Sequence, residues 1–139
     1  MGMYQYIIQV SKPNLRKRKY TVCELNDFIM VKATDFEEHI DLYEDIKPYT
    51  VKRNVLCMVR DAAVQTIPHY IWHEKEIVYW HENYDVFNWL GENITRDIDI
   101  GGFNKLDKTI IKNLNDKFGA NIPEESETKK SAMFYMECY

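Results

Sequence analysis

Three of the four histidines lie close together, among several carboxylates. If a helix begins at Pro68, His69, His73 and Glu76 fall on one of its faces, one or two turns apart. Two imidazoles and a carboxylate form a donor set that zinc and other transition metals accept. One hypothesis is therefore a small metal-dependent hydrolase or nuclease, with a neighbouring glutamate as the general base.

Known catalytic motifs do not fit this cluster. An HExxH motif beginning at His73 requires a second histidine where the chain has Ile77, and an inverted HxxEH motif beginning at His69 requires a glutamate where it has Trp72. The sequence also lacks GxGxxG, GxxxxGK[ST] and GxSxG, which mark phosphate loops and nucleophile elbows. We therefore assign no catalytic residue, and polar side chains on an amphipathic helix remain the simpler interpretation of the histidines.

Aromatic side chains are concentrated between Tyr70 and Trp89. Some fit the core-facing stripe of a helix, but one face cannot hold them all. Exposed aromatics on a rigid element commonly anchor protein interfaces and stack on the bases of nucleotide ligands. We therefore expect a host protein or a small signalling ligand to bind here. The candidate binding residues are Tyr70, Trp72, Tyr79, His81 and Trp89.

The element expected to position these residues is a long amphipathic helix over Glu76–Ile94. Apolar residues recur there at intervals of three and four, which is typical of a helix with one buried face. They are Ile77, Trp80, Tyr84, Phe87, Leu90 and Ile94.

Shorter helices are predicted from caps and apolar spacing. The first follows Thr21, although residues 28–31 also fit a strand. The second runs from Thr34 to Pro48, and the third runs from Val51 to Ala62. The last helix has Asp107 as its N-cap and Gly119 as its stop.

The two ends of the chain favour strands. Met3–Val10 and Ala132–Tyr139 are short and rich in β-branched and aromatic residues, so we expect them to pair. Residues 121–131 lack apolar periodicity and are expected to form a mobile loop. The predicted fold is α+β, a predominantly helical single domain over residues 1–139 with a small sheet from the terminal strands.

Composition and charge limit the function further. The net charge of −4, with the acidic excess in the C-terminal part, makes a general nucleic-acid binder unexpected. The basic run at residues 16–19 could contact phosphates, but we interpret it as a solvated loop. No apolar run is long enough to cross a membrane, and no signal peptide is recognisable. Cys23, Cys57 and Cys138 form no CxxC pair, so a reducing, cytoplasmic location without a cofactor is expected.

The composition resembles that of phage or mobile-element accessory proteins, being rich in Ile, Lys, Asn and Tyr and poor in Ala. With no enzyme signature, the leading hypothesis is a phage-type accessory binding protein that antagonises a host defence. The metal-dependent hydrolase or nuclease is the second hypothesis, and an immunity-type inhibitor that uses its acidic C-terminal half to neutralise a toxin is the third.

Overall fold

The computed structural model describes residues 2–60, 63–94, 102–124 and 128–139. Of these residues, 40% lie in strands and 30% in helices, so the predicted predominance of helix is wrong. The strands are β1 (Tyr4–Ser11), β2 (Lys19–Thr21), β3 (Ile29–Lys32), β4 (Val51–Met58), β5 (Val64–His81), β6 (Asn104–Lys105) and β7 (Ser131–Cys138). The helices are α1 (Ala33–Glu38), α2 (Ile40–Tyr43), α3 (Tyr84–Asn93) and α4 (Lys108–Phe118), with short 3₁₀ turns at Cys23–Leu25 and Lys47–Tyr49. Among the described residues, no helix is both long and apolar enough to cross a membrane.

The described strands form one mixed sheet in the order β2-β4-β5-β1-β7-β6, and β3 also pairs with β5. β2 and β4 are parallel, whereas the other pairs are antiparallel. β5 is the central strand. β4 pairs with its residues 64–71 and β3 with residues 69–72, so these neighbours occupy opposite edges. β1 then pairs with residues 73–81.

The long helix predicted over Glu76–Ile94 is wrong in its first half, because β5 continues to His81 and α3 begins only at Tyr84. The β1–β5 ladder skips Ile77, which makes Ile77 the extra residue of a β-bulge. Ile77 and Trp80 consequently contact the same core cluster. This spacing of three residues imitates the period of a helix.

Two further helix predictions are corrected. The segment Val51–Ala62 forms β4 as far as Met58, and its last residues 61–62 lie outside the described residues. The helix predicted from Thr34 to Pro48 is interrupted at His39, where α1 ends and α2 begins.

The predictions for α4 and for the terminal strands are confirmed. The side chain of Asp107 accepts a hydrogen bond from the backbone N–H of Ile110 at 2.8 Å, and Gly119 ends the helix at φ +60°. β1 and β7 pair in antiparallel register from Tyr4 opposite Cys138 onwards. Local capping and strand signals are therefore sufficient for these elements.

The predicted loop at 121–131 is held at both of its ends, while residues 125–127 lie outside the described part of the chain. At its far end, the carbonyl of Lys130 accepts a hydrogen bond from the N–H of Lys12 at 2.7 Å, and Ser131 already belongs to β7. Ile122 is buried, its N–H donates to Asn115 Oδ1 at 2.7 Å and its carbonyl accepts from Asn115 Nδ2 at 2.8 Å. The start of this segment is therefore tied to α4.

Helices cover both faces of the sheet. On one face, Leu90 of α3 and Ile111 of α4 join the cluster that contains Ile7 of β1. On the other face, Phe36 of α1 lies in the cluster that contains Trp72 of β5. Successive residues of the inner strands are therefore buried on alternate sides, as expected for strands covered on both faces.

The buried side-chain amide of Gln5 links β1 to the turn before α3 and to β7. Gln5 is fully buried, and its Nε2 donates to the carbonyl of Asn83 and to Tyr135 Oη, each at 3.1 Å. Its Oε1 accepts the N–H of Asn83 at 2.8 Å, and the Tyr135 hydroxyl donates to Glu137 at 2.9 Å. Gln5 thus holds the turn that leads into α3 against the sheet.

We predict that Gln5→Leu lowers the free energy of unfolding by about 2 kcal/mol or more, because it removes the three hydrogen bonds that this fully buried amide forms with Asn83 and Tyr135. Urea unfolding monitored by tryptophan fluorescence measures the change. Gln9→Leu is the matched control, since Gln9 is half-buried in the same strand and its side chain forms no hydrogen bond with any described residue. Equal losses in the two variants would contradict the role of the buried amide.

Candidate functional site

Four aromatic side chains gather on the sheet face that carries α1 and α2, near the start of β1. Tyr6 and Tyr79 are cross-strand partners, and Tyr4 and His81 form the next pair on the same face. Alternate residues of a strand point to one side, so Tyr4 and Tyr6 share this face with the buried Ile8. We call Tyr4, Tyr6, Tyr79 and His81 the aromatic patch.

The bulge at Ile77 brings the β5 members into the patch. Before the bulge, Trp72 faces α1, so an uninterrupted strand would turn Tyr79 and His81 to the opposite side. The extra residue reverses this alternation beyond Ile77. Tyr79 and His81 therefore lie beside Tyr4 and Tyr6 instead of beneath α3.

The rings support one another while remaining open to solvent. Tyr4 stacks on His81 with ring centroids 5.0 Å apart and planes 13° apart, and Tyr6 lies 5.2 Å from Tyr79. Tyr4 and Tyr79 are nevertheless 40% and 41% exposed, and His81 is exposed as well. The patch is an ordered aromatic surface, since contacts with neighbours restrict each ring.

A third strand widens this surface. Met136 of β7 lies opposite Tyr6, and Cys138 lies opposite Tyr4. Directly opposed residues share a face, so both side chains border the patch. Met136 is half-buried and Cys138 is exposed. The open surface therefore extends across β5, β1 and β7.

Carboxylates rim the patch. Glu76 is exposed on the same face of β5, and Glu82 Oε1 lies 4.0 Å from His81 Nε2. Desolvation raises the pKa of the Tyr79 phenol, and the nearby tyrosines and Glu76 raise it further. Tyr79 therefore keeps its proton at neutral pH and can donate a hydrogen bond to a partner.

Glu74 lies on β5 between the patch and the buried aromatics. It is half-buried, and its Oε2 accepts a hydrogen bond from Trp72 Nε1 at 3.2 Å. Burial raises the pKa of the Glu74 carboxyl, although the Trp72 hydrogen bond and the charge of His73 oppose the shift.

The five candidate binding residues are divided by the structure. Tyr79 and His81 belong to the patch. Tyr70 and Trp72 are buried, with Phe36 stacked 4.0 Å from the Tyr70 ring, so a ligand would not contact them. Trp89 is half-buried on α3 and lies against Phe118 of α4.

Sequence reasoning missed Tyr4 and Tyr6. Their alternation in a predicted strand is a signal that both point to one side. The sequence does not reveal the partner strand, because the apolar spacing of residues 76–81 predicts a helix. Pairing with β5 is what makes these tyrosines part of an aromatic surface.

The proposed metal ligands do not converge. His69 is buried, with Nδ1 2.8 Å from the carbonyl of Ile67, and His73 lies against the ring of Phe28. Glu76 points to the opposite face of β5, because side chains alternate along a strand. Within the described part of the chain, no three His, Cys, Asp or Glu side chains form a group that could hold a metal ion.

Comparison with known proteins found no matching protein-family model, curated protein or solved structure. The aromatic faces and acidic rim of the patch are suited to binding apolar and cationic groups.

We predict that Glu74→Gln raises the free energy of unfolding at neutral pH. The folded-state pKa of Glu74 is raised, so the folded chain binds this proton more tightly than the unfolded chain. The associated stability is present at low pH and is lost as the pH rises through the raised pKa. The amide removes the buried charge while keeping an oxygen for Trp72, so it should flatten this part of the pH dependence.

Urea unfolding, measured from below pH 4.5, the ordinary value for Glu74, up to about pH 7, tests this prediction. Glu44→Gln, at an exposed position, serves as the control and should change stability by less than about 0.5 kcal/mol. A Glu74→Gln variant that is less stable than the parent at neutral pH would refute the burial argument.

Proposed function

We propose that this chain is a binding protein, of the accessory type that phages encode, and that its aromatic patch docks a basic segment of a host protein. The observation that carries the proposal is the solvent exposure of Tyr4 and Tyr79 within an ordered stack of rings. Tyrosine is enriched among the residues that dominate binding energy at protein interfaces.

The order of the patch favours tight binding. Tyr4 is held by His81, and Tyr79 is held by Tyr6, so little rotational freedom remains to be lost on docking. The surface spans three strands, which suits a protein segment laid across the sheet better than an enclosed small molecule. The patch would be the anchor of a larger interface.

The acidic rim supports a basic partner. Glu76 and Glu82 flank exposed tyrosine rings, and an arginine guanidinium can stack on such a ring while pairing with a carboxylate. Charge complementarity of this kind speeds encounter and selects among partners. Antagonism of a host defence would follow if the docked segment were one that the host protein needs for its own activity.

The same rim favours toxin inhibition as the second candidate. A toxin that acts on nucleic acid presents a basic surface, which is the surface that Glu76 and Glu82 would attract. The two candidates use one docking site and differ in the partner.

We predict that the double variant Tyr4→Ser/Tyr79→Ser weakens partner binding at least tenfold, because it removes both exposed anchors. The parent and the variant are immobilised side by side, and proteins retained from a bacterial lysate are quantified by mass spectrometry. For each protein enriched on the parent, the dissociation constant is then measured with purified material at low and high salt.

The matched control is Met58→Ser/Val64→Ser. These residues are also an exposed cross-strand apolar pair, but they lie near the hairpin between β4 and β5. The control should keep its partners, and added salt should weaken binding of the parent. Retention of the same proteins by the Tyr4→Ser/Tyr79→Ser variant would overturn the proposal.

A further inference from the structure

Basic side chains gather near the C-terminal end of β1. They lie in the segment that follows Ser11 and in neighbouring parts of the fold. Two open cavities, of about 540 Å³ and 460 Å³, share Arg53 as a lining residue. The cationic residues of the first are Arg16, Lys17, Arg18, Lys52 and Arg53. The second adds Lys12, Lys129 and Lys130. We call the two cavities together the basic groove.

The charged residues described in the lining of the groove are all basic. Among the residues that the structure describes, neither cavity is lined by an Asp or Glu, although the chain as a whole has a net charge of −4. The cations come from three separated segments, at residues 12–18, 52–53 and 129–130. The fold therefore concentrates positive charge that the overall composition conceals.

Arg53 fixes the position of the first segment. Its guanidinium donates to the backbone carbonyls of Leu15, Lys17 and Lys52 at 2.9, 3.1 and 2.8 Å. The N–H of Asn54 donates to the carbonyl of Arg18 at 3.0 Å. These bonds hold the connection between β1 and β2 against β4, so the groove is formed before any ligand arrives.

Several cations of the groove are not neutralised internally. Lys17 pairs with Glu24, and Lys52 lies 3.3 Å from Glu37. By contrast, the exposed side chains of Arg16 and Arg18 form no ion pair or hydrogen bond with any residue that the structure describes. Their guanidinium groups are available to an anion from solution.

We propose that the basic groove binds the phosphodiester backbone of a nucleic acid. Guanidinium groups match the geometry of phosphate oxygens and can bind them in a bidentate manner. The cations extend over two adjoining cavities, so one isolated phosphate could not contact them all. A chain of phosphates can.

The lining residues also indicate which part of a nucleic acid the groove would contact. In the described part of the chain, no aromatic residue lines either cavity, so these residues offer no platform on which bases could stack. The apolar lining residues that the structure describes are Pro13, Leu15, Val51 and Pro68, and none of them is an aromatic anchor of the kind that dominates protein interfaces. Contacts to the backbone carry no direct sequence information, so binding should be independent of sequence.

This inference goes beyond the proposed protein docking. The net charge by itself makes nucleic-acid binding unexpected, but it sums over surfaces that the fold keeps apart. The groove lies beyond Ser11 and the patch begins at Tyr4, so the two surfaces are separated by the length of β1. One molecule could therefore hold a basic protein segment and a nucleic acid together.

Fluorescence anisotropy with a labelled single strand of about 20 nucleotides, and with its duplex, tests the proposal. Titrations from about 50 to 200 mM salt should show affinity that falls linearly on logarithmic axes. Arg16→Ala/Arg18→Ala should weaken binding at least tenfold and reduce the salt slope by about 2. Lys129→Glu/Lys130→Glu, in the second cavity, should also weaken binding at least tenfold if the groove is continuous.

Lys108→Ala/Lys112→Ala is the matched control. Like Arg16→Ala/Arg18→Ala, it removes two positive charges, but at exposed positions of α4, and it should alter affinity by less than threefold. Thermal unfolding of every variant shows that each is folded before its affinity is compared.

Four results would overturn the proposal. The first is failure of the parent to bind either labelled nucleic acid at low salt, and the second is equal loss of affinity in the Arg16→Ala/Arg18→Ala and Lys108→Ala/Lys112→Ala variants. The third is competition by ATP or pyrophosphate as effective as that by unlabelled strand, which would identify a site for free phosphates. The fourth is equally effective competition by polyglutamate, which would identify an acidic protein partner.

Discussion

Because Ile77 is an extra residue in the ladder between β1 and β5, every later side chain of β5 faces the side opposite to the one that a regular strand would give it. Trp80 consequently contacts the core under α3 and α4, while Tyr79 and His81 emerge beside Tyr4. The ladder itself is obligatory, since the backbone groups of a buried strand need hydrogen-bond partners. The bulge therefore sets the boundary between core and surface along this strand, and the aromatic patch depends on it.

The two candidate surfaces are opposite in charge, and each is held by a polar side chain that hydrogen-bonds the backbone of a connecting segment. Gln5 binds both backbone groups of Asn83 and so fixes the turn that follows the patch. Arg53 binds the carbonyls of Leu15 and Lys17 and so fixes the loop of the basic groove. In both places, a connection that would otherwise be free to move is ordered by hydrogen bonds from a strand. Preorganisation of this kind lowers the entropic cost of binding.

Local signals were sufficient for α4, which has one buried face and recognisable caps, and for the terminal strands, which are short and rich in β-branched and aromatic residues. Asp107 marks the start of α4 and Gly119 marks its end, and the two terminal strands pair as their composition indicates. Local signals failed for β4 and β5. Tyr70, Ile71 and Trp72 are all buried, so β5 shows no polar alternation in its middle, and the bulge then gives it the spacing of a helix.

The amino-acid sequence by itself determined that α4 forms, that the ends of the chain pair, and that an aromatic surplus lies in the region containing Tyr79 and His81. Only the tertiary structure decided that Tyr70 belongs to the core and Tyr79 to the surface, because exposure depends on what packs above a side chain. Only the tertiary structure places the ring of Tyr4 against that of His81. It alone brings the basic residues of three separate segments close together. Stacking and Coulomb interactions depend on distance in space, and distance along the chain does not reveal it.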